Sequence, residues 1–151
     1  MCGNAVQDDI QFIPADEAWK ARLAAHWPTV HPKHFHLADG FTLVALHQQE
    51  IVGVISVYWR ELPPPLPPTK EGFIDIIEVA EPFRRRGIAR RLVEFAAQRA
   101  REASAYQLRA WSSEDKTEAI PMWKALGFGL CPATVYPRGE KVEGFFVAKT
   151  L

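Results

Sequence analysis

A strand, an arginine-rich turn and an amphipathic helix are predicted to follow one another between residues 73 and 103. The segment FIDIIEV is rich in β-branched residues and is typical of a strand. Three consecutive arginines in EPFRRRGIARR then precede Gly87, after which apolar residues recur at helical spacing to about Ala103. YQLRAW indicates a second strand, so the unit is β-α-β, with a right-handed crossover between parallel strands. The predicted buried face of the helix consists of Ile88, Leu92, Phe95, Ala96 and Ala100.

The turn between this strand and this helix has the character of an anion site. It lies at the carboxyl end of a strand and the amino end of a helix, where unpaired N–H groups favour phosphate. Gly87 lets an oxyanion approach the backbone without meeting a Cβ. The guanidinium groups of Arg84, Arg85 and Arg86 add donors that suit a pyrophosphate. No Lys-Ser/Thr and no further glycine follow in the motif, which excludes a Walker loop and a dinucleotide fingerprint.

Composition limits the partners of such a site. The chain has 151 residues, of which 48% are hydrophobic, and its formal net charge is zero. We therefore predict a single domain over residues 1–151 and no nucleic-acid partner. No stretch approaches membrane-spanning length and the N-terminus carries no targeting pattern, so we expect no membrane association. Cys2 and Cys131 lack metal-ligand or disulfide spacing, which favours a reducing compartment and a cytoplasmic location.

The N-terminal half indicates a strand, a helix and a β-hairpin. IQFIP is consistent with a first strand. Trp19, Leu23 and Trp27 lie four residues apart on one face of a predicted helix that ends near Pro28. FTLVALHQQEIVGVISVYW indicates two strands joined by a polar turn, and because both of their faces are apolar we expect them to be covered on both sides.

A proline-rich segment, RELPPPLPPTKEG, follows this hairpin. Its five prolines between Pro63 and Pro68 exclude a helix or a paired strand and predict a stiff, extended excursion. A loop that borders a pocket is the favoured interpretation, and a polyproline ligand for a partner domain is the alternative.

Three histidines in the loop-like stretch PTVHPKHFHLADG raise the question of a metal site. His31, His34 and His36 have no regular element to fix them, and no cysteine or second carboxylate cluster is nearby in sequence. We therefore expect no metal here.

Two motifs resemble the GNAT acetyltransferase superfamily. EPFRRRGIARR looks like its coenzyme A signature, which is Gln or Arg, two residues, Gly, one residue, then Gly or Ala. Arg84, Gly87 and Ala89 occupy those places. AIPMWKALGF resembles a later family motif and matches it at Ala119, Trp123, Leu126, Gly127 and Phe128. The resemblance implies the GNAT fold, an α/β (α+β) architecture with a mixed central sheet splayed between two parallel strands and helices on both faces.

The resemblance also implies a ligand and an activity. Acetyl-CoA would lie where the strand ending at Val79 separates from the strand at residues 107–111, with main-chain groups around Ile77 and Val79 pairing with the pantetheine arm. Amides of residues 85–89, including that of Ile88, would hold the pyrophosphate. The implied reaction is direct acetyl transfer to a primary amine of a small molecule or peptide, and a homodimer is one oligomeric state open to such a chain. A non-catalytic acyl-CoA binding or regulatory module is the alternative.

Two departures from the family pattern affect the expected chemistry. Trp123 stands where relatives usually place a tyrosine that protonates the departing thiolate, and an indole N–H cannot supply that proton. Tyr136 in the last hairpin is a candidate substitute, although it also fits an ordinary strand aromatic. Lys116 stands where relatives commonly have an asparagine that contacts coenzyme A, and it is expected either to reach a phosphate or to be solvated.

Asp75 and Glu78 are the candidate general bases. An amine must be neutral to attack a thioester, and a lysine-like amine has a pKa of about 10.4. A regular strand would send Asp75 and Glu78 to opposite faces, and Glu78 is expected to lie nearer the splay. A main-chain N–H near Val79, on a strand bulge, is expected to polarise the thioester oxygen. With Glu61, the two carboxylates predict an acidic acceptor mouth, and hence a small primary amine rather than an acid as acceptor.

Overall fold

The structure is a computed structural model and describes residues 9–151, so Cys2 lies outside the described residues. The strands and helices, in chain order, are β1 Ile10–Pro14, α1 Glu17–His26, β2 Gly40–His47, β3 Glu50–Glu61, β4 Lys70–Val79, α2 Ile88–Glu102, β5 Gln107–Ser113, α3 Ala119–Ala125, β6 Gly129–Val135 and β7 Val142–Thr150. The strands form one seven-stranded mixed sheet in the order β1-β2-β3-β4-β5-β7-β6. In the part of the chain described, no helix is both long and apolar enough to cross a membrane.

Helices cover both faces of this sheet. Side chains alternate along a strand, and adjacent residues of β2 therefore belong to different apolar clusters. Val44 packs with Leu23 of α1, whereas Ala45 packs with Leu92 of α2. The predicted coverage of β2 and β3 on both faces is confirmed, and we call the two faces the α1 face and the α2 face.

The sheet opens between the parallel strands β4 and β5. These strands pair only from Glu71↔Gln107 to Ile74↔Ala110. Beyond that row, β4 continues to Val79 and β5 to Ser113, and the described residues provide no pairing across the gap. The predicted splay is confirmed, and it begins directly after Ile74.

The helix that follows the arginines buries a slightly different face from the predicted one. Phe95 is 44% exposed and packs against Phe12 of the edge strand β1, with ring centroids 5.0 Å apart. Its assignment to the buried face was therefore wrong, because it lies at the margin of the apolar stripe. The buried residues of α2 are Ile88, Leu92, Val93, Ala96, Ala97 and Ala100.

The proline segment is a closed turn and not an extended excursion. It joins the antiparallel strands β3 and β4, and the chain must therefore reverse direction between them. The main-chain N–H of Leu62 donates to the carbonyl of Thr69 at 2.8 Å and closes the loop. The Pro64–Pro65 and Pro67–Pro68 peptide bonds are cis.

Candidate active site

The turn before α2 leaves an open helix N-terminus. Gly87 is the N-cap residue with a left-handed φ of 79°, and no side chain caps the helix there. A Cβ added at Gly87 would meet no atom within 4 Å. The first-turn N–H groups of this 15-residue helix therefore lack side-chain acceptors, and an anionic ligand can approach them.

Each of the three arginines in this turn touches the protein differently. Arg84 donates from Nε to the carbonyl of Val79 at 3.0 Å. Arg85 pairs with Glu118 at 3.1 Å, but both side chains are largely exposed, so the pair is weak and exchangeable. The guanidinium of Arg86 lies 5.0 Å from the ring of Phe83. All three directly precede Gly87 in the chain, and their binding of phosphate stays a prediction.

The gap that opens between β4 and β5 after Ile74 runs along β4 towards this turn. Across the gap, the main chain of residues 75–79 has no strand partner in the described part of the chain. The side chains of Ile77 and Val79 pack against the α2-face cluster, as does Ile88, which is only 2% exposed. An extended ligand can therefore pair with the strand edge while these side chains hold the edge against the core.

The motif AIPMWKALGF builds a short helix and a tight C-terminal cap. Phe128 N–H donates to the carbonyl of Trp123, and Gly127 N–H donates to that of Lys124, both at 3.0 Å. Gly127 has a φ of 86°, and the rings of Trp123 and Phe128 are 4.8 Å apart. These bonds and this contact define a Schellman motif, which explains why glycine followed by an apolar residue is needed here.

Trp123 is a core residue with one unsatisfied group. Its side chain is 2% exposed, and its Nε1 atom is buried without a hydrogen-bond partner among the described residues. A buried donor without an acceptor is costly. The indole is part of the α2-face core cluster, and the contact of Trp123 with coenzyme A stays a prediction.

We expect Trp123→Ala to lower the free energy of unfolding by about 3–5 kcal/mol, because it leaves a large cavity in the core. Trp123→Phe retains most of the ring volume and should cost less than about 1.5 kcal/mol. Urea denaturation followed by circular dichroism measures both. Equal stability of the alanine variant and the unmodified protein would show that the ring does not support the core.

Lys116 and Tyr136 lie on the surface. Lys116 is in the connection between β5 and α3, where its N–H donates to the carbonyl of Ser113. Tyr136 lies between β6 and β7 and is 64% exposed. Within residues 9–151, no side-chain hydrogen bond or ring contact joins either residue to Trp123 or to Asp75.

A β-bulge in β4 places the two candidate bases on one face. Ile74 pairs with Val57 and Ile76 with Ser56, so Asp75 is the extra residue. Glu78 pairs with Val54, whose side chain belongs to the α1 face, and Asp75 contacts groups on that same face. The expectation of opposite faces was wrong, because a bulge shifts the alternation by one residue. The bulge is also not near Val79, where the sequence analysis placed it.

Asp75 is held by two loop histidines. Its Oδ2 lies 2.8 Å from Nδ1 of His34 and 2.8 Å from Nε2 of His36. His36 also contacts Asp39 through Nδ1 at 2.9 Å and donates its main-chain N–H to Ser56 Oγ at 2.7 Å. Oδ1 of Asp75 has no partner among the described residues. The carboxylate is thus fixed through one oxygen and available through the other.

This cluster was not predicted from the sequence. No second carboxylate cluster lies near the histidines in sequence, and Asp75 is brought to His34 from 41 residues away, which no local pattern reveals. His31 stands apart, accepting the N–H of Lys33 at 3.1 Å. No group of three or more candidate ligands is arranged for a metal in the described part of the chain.

Glu78 lies further along the gap than expected. Since the strands separate directly after Ile74, Asp75 and not Glu78 is the first residue beyond the splay. Glu78 is half-buried, and its side chain has no hydrogen bond or ion pair with any described residue. Glu61 is exposed at the end of β3.

Comparisons with known proteins agree with this geometry. Residues 9–128 match the model of the Acetyltransferase (GNAT) family. The chain therefore belongs to the GNAT acetyltransferase family. No curated protein sequence shows a significant match to it.

Several solved structures share the fold. NAA60 of Arabidopsis thaliana in complex with acetyl-CoA is 14% identical, with 94% of this chain and 99% of that chain covered and a TM-score of 0.79. Arabidopsis thaliana Naa50 in complex with the bisubstrate analogue CoA-Ac-MVNAL is 16% identical, with coverage of 95% and 99% and a TM-score of 0.75. The ribosomal-protein-alanine N-acetyltransferase of Brucella melitensis is 22% identical, with coverage of 93% and 99% and a TM-score of 0.73.

Proposed function

We propose that the protein is an acetyl-CoA-dependent N-acetyltransferase in which a primary amine attacks the thioester directly in a ternary complex. The observation that carries this proposal is the gap between β4 and β5. It connects the open N-terminus of α2, suited to a diphosphate, with the fixed carboxylate of Asp75. The structures of Arabidopsis thaliana NAA60 with acetyl-CoA and Naa50 with CoA-Ac-MVNAL support the ligand and a peptide or small-molecule amine as acceptor.

The proposed cofactor position follows the gap. Main-chain amides of residues 85–89 and the arginines beside them hold the diphosphate. The main chain around Ile77 and Val79 pairs with the pantetheine arm, and Trp123 belongs to the core cluster that supports this strand edge from behind. Lys116, exposed in the next connection, supplies a further positive charge to the phosphates.

We propose that the thioester lies close to Asp75. The pantetheine arm separates the thioester from the diphosphate and runs back along β4 from Val79. The four steps from the Cα atom of Val79 to that of Asp75 cover about 13 Å of extended strand. Glu78, next to Val79, is too close to the diphosphate end, and we therefore propose that Asp75 accepts the proton of the amine.

The chemical step balances without an acid at Trp123. The amine nitrogen bonds to the thioester carbon, the C–S bond breaks, and the amine proton passes to Asp75. The sulfur leaves as a thiolate, which is tolerable near neutral pH because a thiol has a pKa of about 8.5. Tyr136 would have to move from its exposed position to protonate it.

We extend the proposal to the setting of the reaction. The exposed free thiol of Cys131 favours a reducing, cytoplasmic compartment. The chain would act as one domain without nucleic acid or membrane, and a homodimer remains compatible with the fold.

We expect acetyl-CoA to release free thiol only when a suitable amine is present, at a rate that saturates with both substrates. The measurement is thiol release across a panel of small amines and peptides, alongside calorimetric binding of coenzyme A. Coenzyme A binding without amine-dependent thiol release would contradict the proposal and favour an acyl-CoA binding module.

A further inference from the structure

A pair of arginines shares one buried carboxylate on the α1 face of the sheet. Glu71 is fully buried, and its Oε1 lies 3.1 Å from Nε of Arg109 while its Oε2 lies 3.7 Å from Nε of Arg60. Gln107 donates to Oε1 at 2.7 Å. Two guanidinium groups therefore face a single carboxylate, and the cluster carries one positive charge in excess.

The arginines are oriented by aromatic rings and partly open to solvent. The guanidinium of Arg109 lies 5.9 Å from the ring of Phe73 and 5.4 Å from that of Phe146, and that of Arg60 lies 5.3 Å from Phe73. The side chains of Arg109 and Arg60 are 28% and 38% exposed. Their terminal Nη atoms have no hydrogen-bond or ion-pair partner among the described residues. Such an oriented fork matches a carboxylate in geometry and charge.

This cluster is continuous with Asp75. Phe73 pairs with Arg109, and only one further pair, Ile74↔Ala110, follows before the strands separate. Phe73 is two residues before Asp75 in β4. The ring of Tyr58 lies 5.4 Å from Phe73 and 4.8 Å from His36, which binds Asp75. One step across the sheet and two residues along it separate the Cα atoms of Asp75 and Arg109 by about 8 Å. One small molecule can therefore contact both.

We propose that the acceptor carries a carboxylate close to its amine, as a free amino acid does. The inference rests on the proposed acetyl transfer and defines its acceptor. Asp75 faces the amine, and the Nη atoms of Arg109, with Arg60 beside it, bind the carboxylate. The acidic acceptor mouth expected from the sequence thus describes only the Asp75 end, because the other end of the same face is cationic.

The alternative is that the arginines only neutralise Glu71. One guanidinium is enough to neutralise the carboxylate of Glu71, so the second arginine would add a positive charge that no described carboxylate balances. The alternative also leaves the open Nη atoms without a function. Acceptors that differ only in the carboxylate separate the two interpretations.

The test compares the common amino acids, each as the free acid and as its carboxamide, by kcat/KM for acetyl transfer. We expect the best free acid to exceed its amide by about tenfold or more, since a charge-assisted guanidinium–carboxylate contact is lost in the amide. Calorimetry on protein saturated with coenzyme A should show the same preference in binding, independently of turnover.

Variants assign the preference to the arginines. Arg109→Gln should raise KM for the acid about tenfold or more and leave kcat/KM for the amide nearly unchanged, whereas Arg99→Gln should alter neither. Arg99 is the matched control because its guanidinium also lies over a ring, 5.7 Å from Phe41. If Arg109→Gln does not fold, two other variants take its place. Arg109→Lys keeps a charge beside Glu71, and both it and Arg60→Gln should raise KM for the acid by a smaller factor.

Two results would overturn the inference while acetyl transfer stands. In the first, kcat/KM for carboxamides or simple amines equals that for the free acids. In the second, Arg109→Gln lowers kcat/KM for the acid and for its amide by the same factor. Absence of transfer to every amine in a broad panel would instead refute the proposed function itself.

Discussion

Replacing Gly87 by aspartate should weaken coenzyme A binding by about a hundredfold or more. The glycine is the open N-cap of α2, and an added Cβ meets no protein atom within 4 Å, so a steric clash with the protein does not contribute to the loss. A carboxylate there repels the diphosphate by several kcal/mol at the effective dielectric of a protein surface, and each 1.4 kcal/mol is tenfold in affinity. Isothermal titration calorimetry with coenzyme A measures the loss.

Two controls separate charge from backbone strain. Gly87→Asn has the same shape without the charge, and asparagine tolerates the left-handed conformation, so it should bind coenzyme A more tightly than the aspartate variant. Gly139→Asp places the same residue at a φ of 80° with equally open surroundings, away from α2, and should bind normally. Unchanged affinity in Gly87→Asp would place the diphosphate elsewhere.

Asp75→Asn should lower kcat/KM about a hundredfold to ten-thousandfold, the range expected for loss of a general base. Without this carboxylate, no positioned group accepts the proton of the attacking amine. The measurement is kcat/KM for thiol release at low acceptor concentration, with calorimetric binding of coenzyme A to the variant as the control for an intact cofactor site.

Glu78→Gln is the competing variant, because Glu78 lies on the same face without a partner among the described residues. Its kcat/KM should stay close to that of the unmodified protein, as should that of Glu61→Gln at the exposed end of β3. A large loss of kcat/KM in Glu78→Gln, with kcat/KM retained in Asp75→Asn, would transfer the role to Glu78. Retained kcat/KM in both variants would mean that the amine is deprotonated by solvent.

His36→Gln keeps a hydrogen-bond donor near the Nε2 position and should retain most of the activity, which would identify His36 as a positioning residue for Asp75. His31→Asn is its matched control, because His31 lies in the same loop, and within residues 9–151 its side chain makes a hydrogen bond only with the main-chain N–H of Lys33. A loss in His36→Gln as large as in Asp75→Asn would show that the imidazole itself takes part in the proton transfer.

The fold was predictable where its determinants are local. Gly87, the arginines before it and the apolar spacing of α2 lie within a short stretch, and that stretch fixes a strand, an anion site and a helix together. The Schellman motif after Trp123 is equally local. The family pattern then supplied the splay between β4 and β5, which the structure has directly after Ile74.

The acceptor side was not predictable because its contacts join distant segments. His34 and Asp75 are 41 residues apart and Gln107 and Glu71 are 36 apart, and neither pair has a sequence signature. The bulge at Asp75 depends on the register between β3 and β4, so counting along a regular strand put Asp75 and Glu78 on opposite faces. Side-chain chemistry at this end of the site comes from tertiary packing alone.

The most direct test of acetyl transfer in the gap is the stoichiometry of products from acetyl-CoA with an isotopically labelled acetyl group. Mass spectrometry should find one labelled acetyl group on the nitrogen of the acceptor for each thiol released, with both signals strongly reduced in Asp75→Asn and in Gly87→Asp. Thiol release without a labelled amine, or a full yield of labelled amine from Asp75→Asn, would contradict transfer at the place where β4 and β5 separate.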